Sequence, residues 1–66
     1  MNRNNMCKYE IGDEVFYQSP TDGLCITGEI EATYVEKGVC MYGIHNPIHG
    51  YEAVSEIAIK YLVSVH

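Results

Sequence analysis

Residues 25–37, CITGEIEATYVEK, alternate between apolar and polar side chains more regularly than any other part of the chain. Successive side chains of a β-strand point to opposite faces, so this pattern predicts a strand with one buried and one exposed face. The buried face is predicted to carry Ile26, Gly28, Ile30, Ala32 and Tyr34, and the exposed, acidic face Thr27, Glu29, Glu31 and Thr33. Because Gly28 has no side chain to pack, it marks a bend, a bulge or the close approach of another strand.

Shorter runs of β-branched and aromatic residues predict four more strands. These runs are VFY at 15–17, VCMYGI at 39–44, YEAV at 51–54 and KYLVSV at 60–65. Turn-forming residues separate them, namely GD at 12–13, SPTDG at 19–23 and EKG at 36–38. The segment SEIAI at 55–59 predicts a single helical turn, capped by Ser55, ahead of the last strand.

The length and charge of the chain limit its organisation and its partners. Sixty-six residues make one domain, because so short a chain cannot divide its core. We expect an irregular tail over residues 1–8 and a folded domain over residues 9–66. A net charge of −5 repels phosphate backbones and disfavours long nucleic acids. No apolar run approaches the roughly 20 residues that cross a bilayer, so no membrane span is predicted.

The cysteines indicate the cellular compartment in which the protein is expected. Cys7, Cys25 and Cys40 are an odd number at wide spacing, and the amino terminus lacks the order of a secretory signal. These features predict a cytoplasmic protein with reduced thiols that are buried or inert.

The order of the predicted elements, with IGDEV at 11–15, TGEIEA at 27–32 and YEAVSEIAIKYL at 51–62, resembles the Src-homology-3-like small β-barrel. Within that group the chain is most similar to the KOW, Tudor and chromo-type barrels. The resemblance implies an all-β fold, a five-stranded small barrel with one short helical turn before the last strand. It also implies a binding role toward peptides, modified side chains, nucleic acids or proteins. Short members of this group resemble accessory proteins of phages and mobile elements.

Four tyrosines are candidates for a binding surface, because they fall near strand ends or beside loops. They are Tyr17, Tyr34, Tyr42 and Tyr51. The resemblance implies an aromatic cage for a methylated lysine or arginine, with Glu36 or Glu52 beside it. The alternative is that several of these tyrosines are half-buried strand residues with a solvated hydroxyl.

Carboxylates form the second candidate surface. Glu29 and Glu31 concentrate charge on one strand face, and other acidic residues are predicted on the outer faces, namely Asp13, Glu14, Asp22, Glu36, Glu52 and Glu56. An acidic protein of this size can occupy a basic groove of a partner in place of nucleic acid. Surface carboxylates also serve simply to keep a small domain soluble.

The segment GIHNPIHG at 43–50 raises the question of a reactive site. His45 and His49, with Cys40 as a third group, could ligate a metal or activate a thiol. Pro47 disfavours the helix that would place the two histidines on one face. We therefore interpret the segment as the connection between the third and fourth strands, with both histidines at the rim of a binding surface. No catalytic residue, metal ligand or cofactor is predicted.

Three functions remain open from the sequence. The first is a non-enzymatic module that binds a basic or peptide-binding surface of a partner protein, such as a phage-type inhibitor of a host protein. The second is a nucleotide or nucleic-acid binder that gathers Lys8, Lys37 and Lys60, or that holds a small nucleotide at an oligomer interface. The third is a small metal-dependent enzyme that uses His45 and His49. The apolar run YLVSV at 61–65 also leaves homo-oligomer formation open.

Overall fold

A computed structural model describes residues 7–65, and these residues form one antiparallel sheet of five strands. The strands are β1 (Glu14–Gln18), β2 (Cys25–Glu36), β3 (Val39–Asn46), β4 (Gly50–Ser55) and β5 (Ile59–Ser64). A single 3-10 turn, Glu56–Ala58, joins β4 to β5. The predicted all-β class, the five strands and the turn before the last strand are confirmed. Ser55 precedes the turn, but its side chain makes no capping hydrogen bond.

The strand order is β4-β3-β2-β1-β5, so the short 3-10 turn connects the two opposite edges of the sheet. In a flat sheet these edges would be ~19 Å apart, since neighbouring strands are about 4.8 Å apart. The 3-10 turn advances the chain by only ~8 Å. The sheet must therefore curl until the end of β4 and the start of β5 lie close together at the turn, although the two strands are not hydrogen-bonded and the sheet is not closed.

A two-residue turn joins β2 to β3 and sets their register. Lys37 and Gly38 both have positive φ, of 53° and 80°, as a type I′ hairpin turn requires. Glycine adopts this conformation without a steric cost, which agrees with the turn predicted at residues 36–38.

A bulge at Glu31 changes the faces of β2. Ile30 pairs with Ile44, but Ala32 pairs with the adjacent Gly43, so Glu31 is an extra residue without a partner on β3. Because side chains alternate with a period of two, one extra residue turns the rest of the strand over. The prediction that Ala32 and Tyr34 share the buried face of Ile30 is therefore wrong, and both lie on the face of Glu29.

Gly28 lies where the curled sheet brings backbone and side chains into close contact. A Cβ atom at this position would lie 2.5 Å from Cγ2 of Ile44 and 2.8 Å from the carbonyl oxygen of His45. The predicted close approach of another strand at Gly28 is confirmed, and its partner is β3.

The core fills the concave face of the sheet. It consists of Val15, Tyr17, Ile30, Cys40, Tyr42, Ile44, Val54 and Ile59. A disulfide between Cys7 and Cys40 attaches the segment before β1 to this core. The prediction of three reduced thiols is wrong for this pair, because the fold places two cysteines far apart in sequence next to each other. Cys25 is a free, exposed thiol.

The predicted tail, residues 1–8, falls largely outside the described residues. Of its last two residues, Cys7 is disulfide-bonded and the Lys8 N–H donates to Oε1 of Glu56 at 3.2 Å. From residue 7 to residue 65, no helix has the length and apolar character that a membrane crossing requires.

Candidate functional site

One side chain from each strand lies in a single row across the outer face of the sheet, opposite the core. Each member of this row stands directly opposite the next in the strand register. From β5 to β4, the outer row consists of Ser64, Glu14, Glu29, His45 and Tyr51. The sequence predicted three of these residues as contact residues, and the register brings them together.

The centre of the outer row carries two like charges. Glu14 on β1 and Glu29 on β2 are direct register partners, and like charges in that relation repel each other. Among the described residues, the only hydrogen bond of either carboxylate to another side chain comes from the Ser64 hydroxyl, 3.3 Å from Oε1 of Glu14. Within residues 7–65 the only contact with the geometry of a salt bridge joins His49 to Asp22, so no basic side chain there neutralises Glu14 or Glu29. A cationic group from a partner would relieve this repulsion.

A surface cavity of about 530 Å³ lies along the same row. Its lining includes Glu14, Glu29 and His45, with Thr27 and Pro47 beside them. The backbone of Gly28 also lines the cavity. The cavity therefore presents two carboxylates and an imidazole to whatever enters it.

Two of the four candidate tyrosines lie on the outer face. Tyr51 is 55% exposed, and its phenol lies over Gly43, in the space where a side chain at position 43 would project. Tyr34 is 41% exposed and pairs with Met41, further along the same face because of the bulge. The outer face thus combines carboxylates with the accessible rings of Tyr34 and Tyr51.

The other two candidate tyrosines are buried, which corrects their predicted role as contact residues. Tyr17 and Tyr42 are both 0% exposed and belong to the core. The Tyr17 hydroxyl donates to Oε1 of Glu52 at 2.7 Å, and the Tyr42 hydroxyl donates to Oε1 of Glu56 at 2.6 Å. Burial, and then the adjacent Glu56 carboxylate, raise the pKa of Tyr42 to about 12. These four tyrosines therefore cannot form one aromatic cage.

Glu52 is the centre of a buried polar cluster, although it was predicted on the outer acidic surface. It is 6% exposed and accepts hydrogen bonds from Tyr17, from the Ser19 hydroxyl at 2.7 Å, and from the Thr21 hydroxyl. The side-chain amide of Asn46 donates to both the Tyr17 hydroxyl and Glu52. We call these five residues the Glu52 cluster. It fixes the loop after β1 and the loop after β3 to strand β4.

The segment GIHNPIHG takes its shape from Asn46, which is 1% exposed. Its side-chain oxygen accepts the N–H groups of Ile48 and His49, at 2.9 and 2.6 Å. His45 consequently belongs to the outer row, while Nε2 of His49 lies 2.9 Å from Oδ2 of Asp22. The Leu24 N–H, and then the His49 imidazole, hold the pKa of Asp22 below its ordinary value. The interpretation as a strand connection is confirmed, but His49 does not share the outer face with His45.

The metal and thiol alternatives lose the third group on which they relied. Cys40 is disulfide-bonded to Cys7 and is not a free thiol. Among the residues from 7 to 65, no group of three or more histidine, cysteine, aspartate or glutamate side chains could hold a metal ion.

The Glu52 carboxylate predicts a pH dependence of stability. Burial favours the neutral acid, but hydrogen bonds from Thr21, Ser19 and Tyr17 outweigh it and lower the pKa of Glu52 from 4.5 to about 2. Between pH 4.5 and pH 2 the Glu52 carboxyl group is protonated in the unfolded chain but still ionised in the folded chain. Its contribution to the free energy of unfolding is therefore complete above pH 4.5 and disappears as the pH falls to about 2. We expect urea denaturation to show a loss of ~2 kcal/mol over this interval.

The Glu52→Gln variant is the control for this pH dependence, because it lacks the titrating group. Glu56 and Asp22 also have lowered pKa values and contribute with the same sign, so only the difference between the two proteins reports on Glu52. Equal slopes of unfolding free energy against pH for both proteins would contradict the lowered pKa.

Two residues of the site were not singled out from the sequence. Glu14 was counted only among the surface acids, yet the β1–β2 register places it beside Glu29. The signal would have been its position next to Val15, because neighbouring side chains of a strand point to opposite faces and a buried Val15 places Glu14 on the outer face. Asn46 was covered only by the prediction that residues 43–50 connect two strands, and nothing local distinguishes it from a solvated loop asparagine. Glu31, which was predicted as a contact, is exposed but lies at the bulge and not in the outer row.

The fold and the outer row together define a small all-β protein with an acidic and partly aromatic sheet face. Comparisons of the chain with protein-family models, with curated proteins and with solved structures found no match.

Proposed function

We propose that this chain is a non-enzymatic binding module whose outer face occupies a basic surface of a partner protein. The observation that carries the proposal is the direct pairing of Glu14 with Glu29 in an outer row that ends in the exposed Tyr51. A partner cation would neutralise two adjacent carboxylates, and an exposed tyrosine adds apolar contact at low entropic cost. Occupation of such a surface would inhibit a partner that uses it to bind nucleic acid.

The fold supports the finer assignment to the Src-homology-3-like small barrels. A long, bulged second strand and a single 3-10 turn before the last strand are features of that group, and the sheet is strongly curled. Members of this group act mainly by binding, which is consistent with the proposal.

The proposal predicts salt-sensitive binding of a basic probe. We expect a fluorescent nona-arginine peptide to bind the protein, with an affinity that falls as the salt concentration rises. Removal of both charges in Glu14→Gln/Glu29→Gln should weaken binding at least ~10-fold, because the two carboxylates act on the same cation. Fluorescence anisotropy measures both effects.

A matched variant separates the outer row from net charge. Glu10→Gln/Glu36→Gln removes the same charge at two exposed positions outside the row, and we expect less than about a twofold change. Equal weakening by both double variants would show that net charge alone attracts the peptide and would contradict the proposed site. Calorimetric heat with nucleotides, and none with the peptide, would instead favour the nucleotide alternative.

A further inference from the structure

The free edge of β4 is regular. Its ladder with β3 contains six consecutive residue pairs, from Met41 with Ser55 to Asn46 with Gly50, without a register shift. On its other side β4 has no strand neighbour within residues 7–65, and the backbone hydrogen bonds found outside the strands there do not involve β4. In such an edge every second residue directs its backbone N–H and C=O to the open side, where an added strand can pair with them.

The other edge of the sheet lacks this regularity. The pairing of β5 with β1 shifts register twice, between Glu14 and Val15 and between Phe16 and Tyr17. Extra residues in a strand disrupt its ladder and protect an edge from further pairing. β5 also carries Lys60, a residue typical of protected edges. The two edges of this sheet are therefore not equivalent, and β4 is better suited than β5 to pair with an added strand.

An added strand on β4 would leave the core intact. The inward side chains Glu52 and Val54 are 6% and 3% exposed, because the Glu52 cluster and the core already cover them. The outward side chains Tyr51 and Ala53 are exposed. The side chains of an added strand would therefore continue the outer row beyond Tyr51.

We propose that β4 accepts an extended, basic segment of a partner protein as a sixth strand of the sheet. The inference rests on the proposed function, because the basic charge of the partner is inferred from the acidic outer face. Glu29 and Glu14 lie three and four strand spacings from the added strand, ~14 and ~19 Å away, so basic residues that flank the added segment would reach them. An arginine on the outer side of the segment would lie beside the ring of Tyr51, which attracts cations. A second copy of this chain is the less favourable occupant, since each copy has a net charge of −5.

Two peptides of the same sequence and charge test the backbone pairing with β4. The first alternates arginine and valine, and the second has the same sequence with N-methyl groups on two adjacent central amides. Adjacent amides of a strand point to opposite sides, so the second peptide cannot avoid the block by turning over. We expect the first peptide to bind at least ~30-fold more tightly, because the N-methyl group that faces β4 removes one hydrogen bond and its bulk prevents the neighbouring ones from forming. Hydrogen exchange should show new protection at alternate amides of Gly50–Ser55 and none in β5.

The outcomes distinguish this inference from the proposed function. Equal binding of both peptides, weakened by Glu14→Gln/Glu29→Gln, would overturn strand addition and leave the charge-based function standing. Binding of neither peptide would contradict both proposals. New protection in β5 would place the peptide at the opposite edge of the sheet. Protection of β4 that grows with protein concentration in the absence of peptide would show that a second copy of the chain occupies β4. Either result would overturn the inference.

Discussion

Replacement of Glu52 by alanine is expected to lower the free energy of unfolding by about 3 kcal/mol. The carboxylate accepts hydrogen bonds from Tyr17, Ser19, Thr21 and Asn46. After its removal, Tyr17 and Asn46 still bond to each other at 2.6 Å, and the exposed Thr21 can turn to water. The buried Ser19 hydroxyl loses its acceptor, and a cavity remains between the two loops. Domains of this size have a total stability of about 3–10 kcal/mol, so the variant should lose between roughly a third and all of that stability.

Chemical denaturation followed by circular dichroism measures this loss. Glu36→Ala is the matched control, because Glu36 is exposed and the change should stay within about 0.5 kcal/mol. Glu52→Gln keeps the size of the side chain and one carbonyl acceptor, so its loss of unfolding free energy should lie between those of Glu52→Ala and Glu36→Ala. If the alanine variants at 52 and 36 were equally stable, the Glu52 cluster would have no role in holding the loops.

Loss of the Cys7–Cys40 disulfide is expected to lower the free energy of unfolding by about 3–4 kcal/mol. The bond joins residues 33 positions apart, and a loop of that length restricts the unfolded chain considerably. The bond also holds a segment that contacts the core. Tyr9 lies edge-on to Tyr42 with ring centroids 5.7 Å apart, and its N–H donates to the Tyr42 hydroxyl at 3.3 Å.

Cys7→Ser is the suitable substitution, because position 7 is only half-buried whereas a serine at position 40 would place a hydroxyl in the core. Denaturation of the natural chain with and without a dithiol reductant gives an independent measurement. Cys25→Ser, at an exposed free thiol, should change little and should respond to the reductant as the natural chain does. A denaturation midpoint that is the same in both redox states would contradict a stabilising bond.

Much of the fold could be predicted because local chemistry determines it. Alternating apolar residues and β-branched runs identify strands, and Gly38 identifies the turn that joins β2 to β3. The bulge at Glu31 could not be predicted in this way, because its sequence continues the alternation without interruption. The bulge is a property of the pairing with β3, which places Ala32 opposite Gly43. One unpredicted residue was enough to reverse the faces of Ala32 and Tyr34.

The candidate site was predictable only in part, because burial is decided by distant contacts. Glu29, His45 and Tyr51 were expected at the surface and lie together in the outer row. Glu52 was also expected at the surface, and the alternation of YEAV fits either face of β4 equally well. Its burial depends on three hydroxyls and an amide that lie 6 to 35 residues away in sequence. The disulfide similarly depends on a tertiary contact that cysteine spacing does not show.

The strand order has a consequence for how the molecule opens. β2, β3 and β4 are joined by short connections, whereas β5 pairs with β1 from the far end of the chain. Non-local pairing has the higher entropic cost, so β5 is expected to join the sheet late in folding and to detach first in local opening. A molecule that has lost β5 would expose β1 as a new edge. It would still hold Glu29, His45 and Tyr51 in register, so the acidic face should survive the transient opening of the strand that completes the sheet.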